Sequence, residues 1–133
     1  MAVLIDSSLW VDYFRAKTPA LIRQQVVKFV DSAEAALCEP VRFEILRAAR
    51  RSERKVIEET FETLPFLSTP NAFWEDATEL GQKCTDAGFQ PPAMDLIIAA
   101  VSLAHNVELA TFDPHFEEIA KISSLKLLLL KRG

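Results

Sequence analysis

The chain has 133 residues, half of them hydrophobic and 26% charged, which is the size and composition of one globular domain and excludes a disordered tail. Its 15 Lys and Arg against 19 Asp and Glu give a formal net charge of −4, which argues against a bulk cationic coat for nucleic acid but leaves room for a local basic patch. With only 3 glycines, a glycine-rich phosphate loop is a poor fit.

In chain order, the first element is a short continuous apolar run, Ala2 to Ile5, ending at Asp6. Such a run suits a strand buried on both faces of a parallel sheet. Ser7 and Ser8 then offer helix caps before Leu9, Trp10, Tyr13 and Phe14. Thr18-Pro19 opens a second helix carrying Leu21, Ile22, Val26, Val27 and Val30, with Pro19 at its first position. Ala35 to Cys38 reads as a strand, and Pro40 opens a helix through Val41, Ile45, Leu46, Ala48 and Ala49. Residues 52–63 are again amphipathic and helical. Phe66-Leu67, bracketed by Pro65 and Pro70, reads as a short strand. A helix from about Asn71 to Ala87 turns Phe73, Ala77, Leu80 and Cys84 inward and stops at Gly88. After Pro91-Pro92 comes a very apolar helix to about His105, then a strand from Glu108 to Phe112, a helix opened by Asp113-Pro114 and an apolar strand from Leu125 to Leu130. Strands alternating with helices predict an α/β fold with a largely parallel sheet. There is no repeat and no linker, so residues 1–133 are expected to form one domain.

Cys38 and Cys84 form no C-x-x-C pair, and no histidine stands at zinc-ligand spacing from them. Two buried, reduced thiols are expected. Asp6 interrupts the N-terminal apolar run before it reaches signal-peptide length, and no apolar stretch approaches the ~20 residues of a membrane helix. A cytoplasmic protein with no membrane contact is the expectation.

The informative residues are acids where apolar side chains would be ordinary. Glu44 lies between Val41 and Ala48 on the apolar stripe of its helix, where a carboxylate is costly unless paired or metal-bound. Asp95 is the only charged residue between Pro91 and Ala104. Asp6 and Asp113 each follow a short apolar strand and precede a helix, at the carboxyl edge where open α/β sheets bind ligands. Each acid has an ordinary explanation too. Glu44 could pair with Arg47 or Arg51, Asp95 could answer a helix dipole, and Asp6 and Asp113 could be helix caps. Taken together, converging carboxylates repel one another and raise their own pKa values. Mg²⁺ or Mn²⁺ removes that repulsion, since both take carboxylate oxygen and retain water. The chemistry such a site supports is phosphodiester hydrolysis, one metal activating water and a second, ~3.5–4 Å away, stabilising the leaving oxygen.

These residues resemble PIN-domain ribonucleases, specifically the VapC-type toxins of toxin–antitoxin pairs, over essentially the whole chain. Val3-Leu4-Ile5-Asp6-Ser7-Ser8 is similar to the family's apolar strand followed by D-[ST]-S, and Phe43-Glu44-Ile45-Leu46-Arg47 to its E-[LI]-L-R segment. Met94 to Ala100 resembles the D-x-[LI]-I-A-A helix, and Thr111 to Phe116 resembles T-x-D-x-x-F. The resemblance implies a PIN-like α/β/α sandwich and an Mg²⁺- or Mn²⁺-dependent endoribonuclease acting on RNA. Asp6, Glu44, Asp95 and Asp113 then form the catalytic and metal site, ordered by the hydroxyls of Ser8 and Thr111. It also implies a cognate antitoxin that neutralises the enzyme, and a homodimer or toxin–antitoxin hetero-oligomer. Ala48 stands where the family often has glycine; alanine favours the helix by ~1 kcal/mol, so activity is not expected to suffer.

If helix continues past Ser52, Arg47, Arg50, Arg51 and Arg54 share the face opposite Val41 and Ile45. Arg47 and Arg51, nearest Glu44, are then expected to contact RNA phosphates, although a solvated charged face is the commoner reason for such a run. The resemblance implies that Trp10, Phe14 and Phe43 meet the antitoxin, while core or dimer contact is the commoner role for aromatics such as Trp10, Phe14 and Trp74. His115 is expected to be an exposed helix residue without a catalytic role. An alternative of another class is a non-catalytic RNA- or protein-binding module whose acids are caps and ion pairs. A phospho-aspartyl phosphatase would want an Asp two residues after Asp6, where Ser8 stands.

Overall fold

In the computed structural model, which describes residues 1–133, the apolar run at the start forms β1 (Val3–Ile5), followed by α1 (Ser7–Phe14), α2 (Ala20–Val30), β2 (Ala35–Cys38), α3 (Glu39–Ala48), α4 (Arg54–Glu62) and β3 (Phe66–Leu67). The second half continues with α5 (Phe73–Asp86), α6 (Ala93–His105), β4 (Glu108–Thr111), α7 (His115–Lys121) and β5 (Lys126–Leu129). The strands lie in the order β3-β2-β1-β4-β5 and every pair is parallel. This is the expected α/β/α sandwich. All residues of β1 and β2 are buried, as strands covered by helices on both faces must be.

The helices form two packed groups, α1 against α2 and α3 with α4 beside α3, and α5 against α6 with α7 beside α6. Leu4, Ile5, Leu37 and Leu109 of the sheet meet Leu9, Trp10, Val41, Ile98, Phe116 and Ile119 of the helices, all essentially without solvent contact. Helix α5 ends as Gly88 foretells. Gly88 takes φ +94°, its N–H donates to the Thr85 carbonyl at 3.0 Å, and Phe89 N–H reaches the Cys84 carbonyl at 3.1 Å. Those two bonds make a Schellman cap, which needs a left-handed residue at this position.

Three local expectations are corrected. Ser7 and Ser8 do not cap α1 but lie within it, and Asp6 is the cap, its carboxylate accepting from Ser8 N–H. Pro19 occupies the cap position of α2, with Ala20 the first helical residue. The basic stretch is not one helix. Backbone at Ala49 is extended (ψ 139°), ending α3, and Arg54 Nε donates to the Ala49 carbonyl at 3.2 Å. The reason is packing. On a continuous helix Ile57 and Phe61 would stand about 120–160° around from Ile45, yet all three are buried, so the chain breaks to bring a second stripe to the core.

Candidate metal centre at the sheet's carboxyl edge

The chain leaves β1 toward β2 and leaves β4 toward β5, so the crevice between β1 and β4 is the topological switch point of the sheet. Ile5 pairs with Ala110, which sets Asp6 beside Thr111 where the two strands end. Asp6 N–H extends the ladder by one bond, to the Ala110 carbonyl at 3.0 Å. Its carboxylate is buried, 4% exposed. Three donors converge on its Oδ2: Thr111 Oγ1 at 2.7 Å, Ser8 Oγ at 2.8 Å and Ser8 N–H at 3.3 Å. The two hydroxyls stand 3.2 Å apart. With both protons given to Asp6, each has only lone pairs left to offer. Those lone pairs accept backbone N–H groups, Phe112 onto Ser8 Oγ at 3.0 Å and Asp113 onto Thr111 Oγ1 at 2.9 Å. Through Asp6 and these two N–H groups, Ser8 and Thr111 tie the start of α1 to the segment between β4 and α7.

Glu44 reaches the same edge from the second turn of α3. It is half-buried, and the stripe it lies on is narrower than its sequence implies, since Ala48 is exposed. No arginine pairs with Glu44; Ser7 Oγ donates to its Oε1 at 2.6 Å instead. Asp95 arrives from the first turn of α6, its side chain 16% exposed, and Asp113 stands at the head of α7, where its Oδ1 accepts His115 N–H at 2.9 Å. Helix α6 is fully buried only from Ile98 to Ser102; its first turn is half-exposed around Asp95.

The electrostatics record the convergence. Asp95 is pushed up to about 6, first by burial and then by the charges of Asp113, Asp6 and Glu44, with His115 opposing. Burial likewise raises Asp6, against the hydroxyl and backbone donors that favour its charged form. Cys38 lies at the end of β2 near the same acids. Burial foremost, then Asp6, Glu39 and Glu44, push its thiol to about 12, so it is no nucleophile. Donor atoms of Asp95, Asp113 and His115 all lie within 4.8 Å of one another. Asp6 and Glu44 stand outside that set, close enough to act on Asp95 through their charge. A set of hard carboxylate oxygens gathered at one edge, where the charges of three of them add to the burial that raises Asp95, fits a divalent cation on its chemistry.

Several expected roles move. Arg47 sits with its guanidinium 5.9 Å from the Phe43 ring centroid, and Arg51 lies exposed in the turn between α3 and α4. They share no helical face, because the helix they needed is interrupted. The cations that line the groove with Glu44 are Arg15, Lys17 and Arg50. Sequence reasoning passed over the Arg15-Ala16-Lys17 turn after α1 because nothing local ties it to Glu44. Trp10 is corrected as a partner contact: it is 0% exposed, stacked on Phe14 at 5.8 Å and edge-on to Phe61 at 5.0 Å. Phe14 is half-buried along the groove and Phe43 is 52% exposed, so both are reachable. Trp74, read as core or dimer contact, is 65% exposed and therefore not core. Ser7, which holds Glu44, was read only as a cap; the adjacent hydroxyl pair was the available signal. His115 is exposed as expected, yet its Nδ1 lies 3.2 Å from Asp113 Oδ1.

Fold and site together define a parallel α/β protein with an acidic centre at its switch point. The PIN domain model matches residues 3–122. VapC ribonuclease Mb1587 of Mycobacterium bovis is 31% identical over 129 residues, covering 93% of this chain and 96% of that protein. Ribonuclease VapC21 of Mycobacterium tuberculosis is 30% identical over 114 residues, covering 83% of this chain and 82% of that protein. Among solved structures, VapBC2 from Rickettsia felis, bound to a DNA fragment from its promoter, superposes with TM-score 0.74 at 18% identity, over 98% of this chain and all (100%) of that chain. VapBC-1 from nontypeable Haemophilus influenzae gives TM-score 0.74 at 17% identity, over 97% and 98% of the two chains. The chain belongs to the PIN domain family.

Proposed function

We propose that this chain is an Mg²⁺- or Mn²⁺-dependent endoribonuclease that hydrolyses RNA phosphodiester bonds, and the toxin of a toxin–antitoxin pair neutralised by a cognate antitoxin. The observation that carries this reading is the gathering of acids at the switch point, where burial first and then the charges of Asp113, Asp6 and Glu44 push Asp95 up to about 6, with His115 alone opposing. A structural role gives no return for gathering these acids; a divalent cation does. The ribonuclease names of relatives at 30–31% identity supply the substrate class.

Asp6, Asp95 and Asp113 would hold the cation, with Glu44 binding it or positioning it through water. When bound, the cation supplies charge neutralisation at the phosphate and lowers the pKa of an attacking water. The chain's own residues prepare that chemistry. Ser8 and Thr111 lock the Asp6 carboxylate against the sheet, and Ser7 holds Glu44. Arg15, Lys17 and Arg50, which line a groove of about 670 Å³ together with Glu44, attract the phosphates of the RNA backbone. The half-buried Phe14 gives the same groove an apolar wall to which the antitoxin binds, and the exposed Phe43 offers it a second contact. Residues 1–133 act as one catalytic domain in the cytoplasm, as a homodimer or a hetero-oligomer with the antitoxin. No helix is long and apolar enough to cross a membrane.

The deciding experiment incubates the purified chain with a cellular RNA pool in Mg²⁺, Mn²⁺ or EDTA, beside Asp6→Asn and Asp95→Asn. Discrete fragments are expected with metal only, and from neither variant. A folded chain that cleaves nothing and gains no thermal stability from Mn²⁺ would sink the enzyme and favour a binding module whose acids serve as caps.

A further inference from the structure

We propose that His115 supplies an imidazole ligand to the cation held by Asp95 and Asp113, and that this nitrogen donor makes the centre favour Mn²⁺ over Mg²⁺. The inference rests on the metal-centre reading above and adds to it a ligand and a choice of metal. His115 opens α7, and its Nδ1 lies 3.2 Å from Asp113 Oδ1 and 4.0 Å from Asp95 Oδ2. Two ligands on one ion, with bonds of ~2.0–2.2 Å, stand at most about 4.4 Å apart. Both separations therefore already fit inside a single coordination sphere. The imidazole is 66% exposed, so burial does not hold it there. Its place comes from the backbone, since His115 N–H donates to Asp113 Oδ1 at 2.9 Å and the next residue, Phe116, is fully buried. The carboxylate that accepts this backbone bond is thus the one beside the ring.

The competing account is a surface ion pair between His115 and Asp113, and exposed pairs of that kind contribute little. It does not explain why the same nitrogen also approaches Asp95, whose position on α6 is set independently. The chemistry separates two metals. Mg²⁺ keeps an oxygen shell and sheds water reluctantly, whereas Mn²⁺ accepts carboxylate and water and, as a first-row transition ion, also takes imidazole nitrogen. An imidazole among the carboxylates makes a mixed oxygen and nitrogen donor set that disfavours Mg²⁺.

The test uses the untagged chain loaded with Mn²⁺ and reads ¹⁴N coupling by electron spin echo. The chain has only 2 histidines. The other, His105, closes the far end of α6 with Nε2 2.6 Å from the Ser68 carbonyl oxygen, so an imidazole signal reports on His115. The wild type is expected to show nitrogen coupling that disappears in His115→Asn. In that variant Mn²⁺ affinity is expected to fall ~10-fold and Mg²⁺ affinity less than ~3-fold. Thermal melts in EDTA establish that the variant folds. Bound Mn²⁺ without nitrogen coupling, or coupling that survives in His115→Asn, overturns the assignment and leaves the carboxylate centre standing. A wild type that binds Mn²⁺ no better than Asp95→Asn removes the centre itself, and this inference with it.

Discussion

Asp6 performs two duties that its sequence presents as alternatives. It caps α1 through Ser8 N–H and it stands among the acids of the switch point, because a cap occupies one oxygen of a carboxylate that has two. Asp113 is not the cap of α7, which is Pro114, yet it too gives one oxygen to a backbone N–H, that of His115. Reading these acids in sequence therefore leaves cap and ligand in balance, and only their shared location tips it. The location has a titration signature at Asp95. Its folded pKa of about 6 lies above the ordinary 3.8, so its charge destabilises the metal-free fold fully above about pH 6, and the penalty is relieved as pH falls from 6 toward 3.8. In EDTA, Asp95→Asn is expected to be more stable than the wild type at pH 7, by roughly 1–3 kcal/mol. That gap should narrow by pH 5, as read from denaturant midpoints. Saturating Mn²⁺ should reverse the order at pH 7. A gap that does not change with pH would show that Asp95 is not raised in the folded chain.

Elements were legible wherever a local rule fixes them. Pro65 and Pro70 mark a strand of two residues, Phe66–Leu67, and Gly88 marks the end of α5 through a backbone conformation an L side chain rarely adopts. Gly88→Ala is expected to cost about 1–2 kcal/mol from its φ of +94°. Space is not the obstacle, since an added Cβ meets nothing within 4 Å. Thermal unfolding measures it, and an unchanged melting temperature would mean the cap can re-form around alanine. The break at Ala49 was not legible in this way. Residues 47–54 carry no proline or glycine, and helix periodicity alone favours continuing. The break follows from where Ile57 and Phe61 must go, beside Trp10, which is a demand of the core. With it went the shared basic face of Arg47 and Arg51, and Arg50 took the place beside Glu44.

At the scale of the molecule, the last residues close on the first helix. Asp12 of α1 is buried at 2% exposure, and Arg132 Nη1 lies 2.8 Å from its Oδ2, a charge contact not aligned as a hydrogen bond. The same guanidinium stacks 4.4 Å from the Phe112 ring centroid, one residue before Asp113. Leu130 N–H also extends the β4–β5 pairing to the Thr111 carbonyl at 2.8 Å. Arg132→Ala leaves a buried carboxylate without its counter-charge and is expected to cost ~1–3 kcal/mol, discounted because half the arginine is solvated. In a double-mutant cycle with Asp12→Asn, the second change should cost much less than it does alone; additive losses would show that the pair is not coupled. Nothing in the sequence links residue 12 to residue 132. The sequence by itself determined the alternation of strands and helices, the parallel sheet and the four acids, since hydrophobic period, turn residues and charge out of place are local properties. Tertiary structure alone decided which neighbours those acids have. It put Ser7 under Glu44, His115 near Asp95, Arg15 and Lys17 in the groove and Trp10 out of reach. Those outcomes depend on sheet order and on the fit of distant stripes into one core, a competition among contacts that no local pattern encodes.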